Sequence, residues 1–229
     1  MKQPFISIIV PVKNIQRTLD VMFEYLLDLD YPKDKLEIIM ADGGSSDDTV
    51  NIIKQWQKKH AFIHFVQVPN CPSPGHARNA AIKMAKAEYL LFTDGDCAPN
   101  KDWANKLLAP FFEDETIGGV GGEIDTLRVA PDSLTEAYCE HTGFLSVKSR
   151  SGLEKEGYMA KLDDMSPSQA SAHRAPFFAT ANAAYTKKAI DAIGGSFWDH
   201  PTGEDVEFSV RIQQAGFRLY FCPSARIRH

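Results

Sequence analysis

Phe5-Ile6-Ser7-Ile8-Ile9-Val10-Pro11-Val12 is a β-branched run that reads as a strand. Ile15, Leu19, Met22, Phe23, Leu26 and Leu27 then recur at helical spacing until Tyr31-Pro32 stops the pattern. The rhythm repeats. Residues 36–41 read as a strand, and Thr49, Ile52, Ile53 and Trp56 mark one face of a helix. Residues 62–68 are the next strand and 77–87 an alanine-rich helix. Residues 89–93 are a buried strand, followed by a helix whose apolar face is Trp103, Leu107, Leu108 and Phe111. Four strand-helix units in succession predict an α/β fold with a mostly parallel central sheet flanked by helices. Such sheets bind ligands outside the carboxyl ends of their strands, so the loops after Val10, Ala41 and Thr93 are the places to look for chemistry.

A chain of 229 residues that is 44% hydrophobic and 24% charged can bury one sizeable core, so one domain is expected. The formal charge of −5, with no run of Lys and Arg, argues against nucleic acid as a partner, because that binding depends on neutralising phosphates. Cys71, Cys97, Cys139 and Cys222 lie far apart without a C-x-x-C pair, which suggests neither a disulfide framework nor a zinc site and fits a reducing, cytoplasmic compartment. Met1-Lys2-Gln3-Pro4 runs into the first strand without an apolar signal region. No run of about 18 apolar residues occurs, so no transmembrane segment is expected and the chain should be soluble.

Beyond residue 118 the rhythm changes. A glycine-rich strand over 118–124 leads to a helix near 133–147, and then to a stretch over 149–173 rich in Ser, Asp, Glu and Lys. That composition predicts an inserted mobile segment, either a lid over a site or a plain linker. Order returns over 183–193, with a helix over 204–215 ended by Gly216 and a strand over 217–222.

Three acidic groups stand at strand or helix ends. Asp94-Gly95-Asp96 follows the apolar Tyr89-Leu90-Leu91-Phe92, and its glycine lets the chain turn so that two carboxylates share one side, a donor pair that suits Mg2+ or Mn2+. The triplet equally fits an acidic surface turn. Asp42 heads Gly43-Gly44-Ser45-Ser46-Asp47-Asp48-Thr49; capping explains the later acids, whereas Asp42 is placed to accept from the edge of a nucleobase, with Pro11, Val12, Lys13 and Asn14 offering groups beside it. Gly203-Glu204-Asp205 opens a helix, where the macrodipole favours acids on stability grounds alone and where Asp205 would also project toward the crevice.

Taken together and in order, Pro11-x-x-Asn14, Asp42-Gly43-Gly44-Ser45, Ala77-Arg78-Asn79, Asp94-x-Asp96, Asn182, Gly203-Glu204-Asp205 and terminal His229 resemble glycosyltransferase family 2, whose fold is GT-A. The likeness covers nearly the whole chain except about 126–175. It implies a single catalytic domain over 1–229, with a nucleotide-sugar-binding half over 1–122 and an acceptor-side half over 123–229. It further implies a donor site of Pro11, Val12, Asn14, Asp42, Arg78, Asp94 and Gly95, in which Asp42 meets the base and Asp94 the ribose. Asp96 and His229 become ligands of a divalent cation, Mn2+ or Mg2+. Asp205 becomes the catalytic base, with Asn182, Trp198 and Glu204 on the acceptor side. The implied reaction moves a sugar, with inversion, from a nucleotide-diphosphate sugar, by family habit a UDP-sugar, to a glycan, lipid-linked or small-molecule acceptor. Gly43 stands where many members have a second Asp, and Lys13 where they have an aromatic. Many members also continue past the equivalent of His229, some into transmembrane helices, so a longer native chain would sit at the cytosolic face of a membrane. A sugar-phosphate nucleotidyltransferase would need a glycine- and arginine-rich loop after the first strand, which Pro11-Val12-Lys13-Asn14 does not supply. A non-catalytic sugar-nucleotide-binding module would be expected to have lost the base or a metal ligand, and Asp94, Asp96, Asp205 and His229 are all present.

Overall fold

The computed structural model describes residues 3–128, 130, 132–151, 153, 155–161 and 177–229. The four expected units form as β1 (Ile6–Val12), α1 (Leu19–Leu27), β2 (Leu36–Asp42), α2 (Thr49–Lys59), β3 (Ile63–Gln67), α3 (Pro74–Met84), β4 (Tyr89–Phe92) and α4 (Trp103–Glu113). Between β4 and α4 lies the two-residue β5 (Ala98–Pro99). There follow β6 (Ile117–Asp125), α5 (Leu134–Thr142), α6 (Val147–Ser151), β7 (Gly157–Tyr158), β8 (Ala183–Thr186), α7 (Lys187–Ala192), α8 (Glu204–Gln214) and β9 (Arg218–Arg228).

One nine-stranded sheet has the order β3-β2-β1-β4-β8-β6-β9-β5, with β7 added on β9. β1 pairs in parallel with β2 and β4, as do β2 with β3 and β6 with β9. β8 runs against both β4 and β6, and β5 and β7 run against β9. The sheet is therefore mostly parallel with helices on both faces, as expected. Alternation along β1 sends Ile6, Ile8 and Val10 to one face, where they meet Phe23 of α1 and Leu107 of α4. Ile9 faces the other way, toward Ala81 of α3 and Phe208 of α8. Each large apolar side chain so buried contributes about 1.5–3 kcal/mol.

The boundaries depart from the sequence reading in three places that matter. α3 begins at Pro74 rather than near 77, because Ser73 caps it by accepting from the His76 amide at 3.2 Å and Pro74 fits the first turn. The helix expected over 133–147 is two helices broken near Gly143. β9 runs through Pro223 to Arg228 as one strand. Its register against β6 shifts between Gly122 and Glu123, a bulge that accommodates a residue lacking an amide hydrogen.

Part of the stretch expected to be mobile is docked. Tyr158 of β7 donates to Asp114 at 2.6 Å and packs edge-on against Tyr220, and the neighbouring Met159 is buried. Residues 162–173 of that stretch lie outside the described residues. Among the described residues no helix is long and apolar enough to cross a membrane.

Candidate active site

The carboxyl ends of β1 and β4, the start of α3 and the last residue of β9's extension converge on one cavity of about 320 Å³. Pro11 and Val12 line it from β1, Arg78 from α3, and Asp94, Gly95 and Asp96 from the loop after β4. A second cavity of about 690 Å³ adjoins it, and Glu204 and Asp205 at the start of α8 line that one. Pro74, Arg78, Asp94 and His229 line both, so they form the boundary between the two.

Pairing explains why residues so distant in sequence meet here. β5, directly after the acidic loop, pairs Ala98 with Arg228 and Pro99 with Ile227, which carries His229 to Asp96. The His229 amide donates to the Asp125 carbonyl at 2.9 Å, and its own carbonyl accepts from the Leu127 amide at 2.8 Å. The terminal residue is thus fastened rather than frayed. His229 Nε2 lies 3.2 Å from Asp96 Oδ1. Their hydrogen bond holds the Asp96 carboxyl below its ordinary pKa and raises that of the imidazole. Cys97, beside them, is buried, and burial pushes its thiol well above the ordinary value. Ligand atoms of Asp96, Cys97 and His229 all lie within 4.8 Å of one another. A carboxylate and an imidazole poised together fit a divalent cation, and the nitrogen donor suits Mn2+ better than Mg2+, which prefers oxygen.

Gly95 sits in tight space rather than in a turn that needs glycine. Its φ is not in the left-handed region, but a Cβ there would stand 2.1 Å from Ile15 Cδ1 and 3.0 Å from Val12 Cγ1. At α8 the opposite holds: Gly203 has φ +79°, the conformation that lets the chain enter the helix with Glu204 pointing inward.

Arg78 is the hub. It is 3% exposed, donates through Nη1 to Glu204 at 2.8 Å and through Nη2 to Asp94 at 2.9 Å, and lies over the Phe197 ring. Its Nε is buried and has no hydrogen-bond partner among the described residues. Neighbouring Asn79 donates to the Phe197 carbonyl at 2.9 Å and accepts from the Phe197 amide at 2.7 Å, which fixes α3 against the segment leading into α8.

Four residues expected at the site do not line the two cavities. Asp42 is fully buried, and its carboxylate accepts from the amides of Gly44 (3.1 Å) and Ser45 (3.1 and 3.2 Å), so it shapes the loop while Gly43 faces the cavity. Asn14 latches that loop from outside, its amide donating to Ser45 Oγ and its side-chain oxygen accepting from the Ser46 amide, each at 2.8 Å. Asn182 is buried among strands, accepting from Trp103 Nε1 at 2.7 Å and donating to the carbonyls of Glu123 (2.8 Å) and Ala225 (2.9 Å). Trp198 is 60% exposed and lines a separate groove along the outer side of α8 with Val206 and Val210.

The sequence reading missed Ser73 and Pro74, which line the first cavity and which a cap-plus-proline signal could have revealed. It also missed Phe144, which lines the second cavity after α5 and carries no sequence signal, and Cys97, which cysteine spacing does not mark.

The family model for glycosyl transferase family 2 matches residues 7–194. The chain is 26% identical over 227 residues to a probable glycosyltransferase, YdaM, of Bacillus subtilis, an alignment that covers 97% of this chain and 50% of YdaM. It thus spans about half the length of that relative. Among solved structures, residues 1–349 of S. aureus TarS in complex with UDP-GlcNAc superpose with a TM-score of 0.69 at 21% identity, over 95% of this chain and 55% of TarS. The mannosyltransferase PcManGT of Pyrobaculum calidifontis, in complex with GDP-Man and Mn2+, gives a TM-score of 0.68 at 21% identity, over 100% of this chain and 57% of that one. These two likenesses show the fold, which is GT-A.

Proposed function

The chain belongs to glycosyl transferase family 2, and from that premise we propose that it moves a sugar from a nucleotide-diphosphate sugar to an acceptor hydroxyl by a single displacement that inverts the anomeric centre. The observation that carries this reading is the meeting of two cavities at Arg78, Asp94 and His229, with Asp205 opening on the larger. The nucleotide occupies the smaller cavity, between Pro11-Val12 and the start of α3. The acceptor enters the larger one, as a glycan, lipid-linked or small-molecule hydroxyl. Asp205 removes the proton of that hydroxyl as its oxygen bonds to the anomeric carbon and the bond to the diphosphate oxygen breaks. Glu204 holds Arg78, and Arg78 orients Asp94 toward the donor. Asp96 and His229 would hold a divalent cation, Mn2+ in preference to Mg2+. When bound, such a cation stabilises charge on the departing diphosphate, which a chain of net charge −5 otherwise repels. Only one carboxylate is then needed, since the leaving group departs unprotonated. A UDP-sugar is the proposed donor, in keeping with the UDP-GlcNAc bound to TarS.

A thermal-shift panel of nucleotide sugars with Mn2+ tests the reading, because a ligand that binds only the folded state raises apparent stability. A UDP-sugar should raise Tm with Mn2+ and not in EDTA. Undiminished nucleotide affinity in EDTA and in Asp96→Ala would remove the cation from the mechanism, and retention of anomeric configuration in the product would remove the single displacement.

A further inference from the structure

Cys97 takes no part in the transfer just described, yet it sits at the base of the cation site. We propose that its sulfur is a third protein ligand of that site, a thiolate beside Asp96 and His229, so that the site favours borderline and thiophilic divalent cations over Mg2+. This rests on the cation site proposed above.

The geometry carries it. One ligand atom each from Asp96, Cys97 and His229 lies within 4.8 Å of the others. Metal–sulfur and metal–nitrogen bonds of about 2.3 and 2.0–2.1 Å set tetrahedral ligand atoms roughly 3.5 Å apart, so a contraction of about 1 Å closes the set. The backbone holds all three near that arrangement without a metal. The Cys97 amide donates to the Asp94 carbonyl at 3.2 Å, and the next two residues pair with Arg228 and Ile227 beside His229. Cys97 is free of any disulfide, 1% exposed and packed in the core next to Thr93. With a cation held at Asp96 and His229, the thiol proton would leave to solvent as the metal–sulfur bond forms. The alternative is an inert buried cysteine that only fills space.

Titration of the metal-free protein with Co2+, followed by absorption and calorimetry, decides between them. With Cys97 as ligand, the wild type develops a thiolate-to-cobalt charge-transfer band that saturates at one equivalent. The band should persist when Cys71, Cys139 and Cys222 are all replaced by Ser and vanish in Cys97→Ser. Cd2+ affinity should fall at least about 10-fold in Cys97→Ser, the lower end of what even outer-shell partners contribute, while Mg2+ affinity stays unchanged. Stoichiometric Co2+ binding by the wild type without the band would overturn the thiolate ligand and leave the cation site standing. No Co2+ binding even with UDP present would overturn both. The wild-type spectrum is decisive even if Cys97→Ser misfolds, and Cys97→Ala provides a second loss of the sulfur.

Discussion

The Arg78 guanidinium donates to Asp94 at 2.9 Å across the boundary between the two cavities, and the same group holds Glu204 at 2.8 Å. A buried guanidinium thus fixes the acids of the two cavities relative to each other. Removing it strands Glu204, whose side chain is only 11% exposed. Arg78→Ala should therefore cost about 3–5 kcal/mol of stability, the usual result of breaking a buried pair from one side. Adding Glu204→Gln should restore part of that loss, a coupling on the order of 0.5–3 kcal/mol in a double-mutant cycle. Denaturant melts of the four proteins measure it; strict additivity would mean that the two residues do not depend on each other.

Asn182 tests a reassignment. Its amide satisfies the Trp103 indole and two strand carbonyls, so Asn182→Ala leaves several buried groups without a partner, each at roughly 1–3 kcal/mol. The variant should lose at least ~2 kcal/mol in chemical denaturation while the folded fraction keeps its KM for acceptor. Gly122→Ala should be equally harmful, since its Cβ would come 2.0 Å from the Ala225 carbonyl oxygen and 2.4 Å from Asn182 Nδ2. A raised acceptor KM in Asn182→Ala with unchanged stability would return the residue to the acceptor site.

The docking of β7 has a pH signature. The hydroxyl of Tyr158 and both donors of Thr116 hold the Asp114 carboxyl at a pKa of about 2. Because the folded value lies below the unfolded one of about 3.9, the stabilisation is complete above that value and is lost as pH falls toward the folded one. Tyr158→Phe removes the leading cause, so the Asp114 carboxyl resonance should titrate at higher pH in that variant, while the stability difference from the wild type stays constant from about pH 5 to about pH 8, between the carboxyl and phenol titrations. An unshifted titration would show that β7 does not hold Asp114.

Much of this was legible in the residues and some was not, for physical reasons. β1, β2 and β4 announced themselves because strands buried on both faces read as continuous β-branched and aromatic runs, whereas β3, at the edge of the sheet, is mostly half-buried. β8 did not, since Ala183-Ala184-Tyr185-Thr186 has little of that signal and its antiparallel place depends on β4 and β6. Asp94 and His229 line both cavities, Asp96 the smaller and Asp205 the larger. Asp42 and Asn182 line neither cavity and bond within the fold; a polar residue beside a strand end serves a ligand or the backbone equally well, and its sequence position does not distinguish the two. Cys97 lacked any partner in sequence; a two-residue strand pairing brings it to His229.

Asp205 carries the sharpest test. It lies in the first turn of α8, lines the larger cavity, and accepts from the Val206 amide at 2.8 Å. Two roles fit that position. As the base, it must be ionised and face the attacking hydroxyl; as a helix-start acid, it needs only to favour the macrodipole. Asp205→Asn keeps the shape and an oxygen acceptor while removing the base. If Asp205 takes the proton, the variant should bind UDP with wild-type affinity yet lose on the order of 10²–10⁴ in turnover. If it serves the helix alone, the substitution should cost about 0.3–1 kcal/mol and leave the turnover of folded protein nearly unchanged. Melting temperature and transfer rate measured on one preparation separate the two, because a base acts on the rate and a helix acid on the melt. A stability loss without a rate loss would move the general base away from α8.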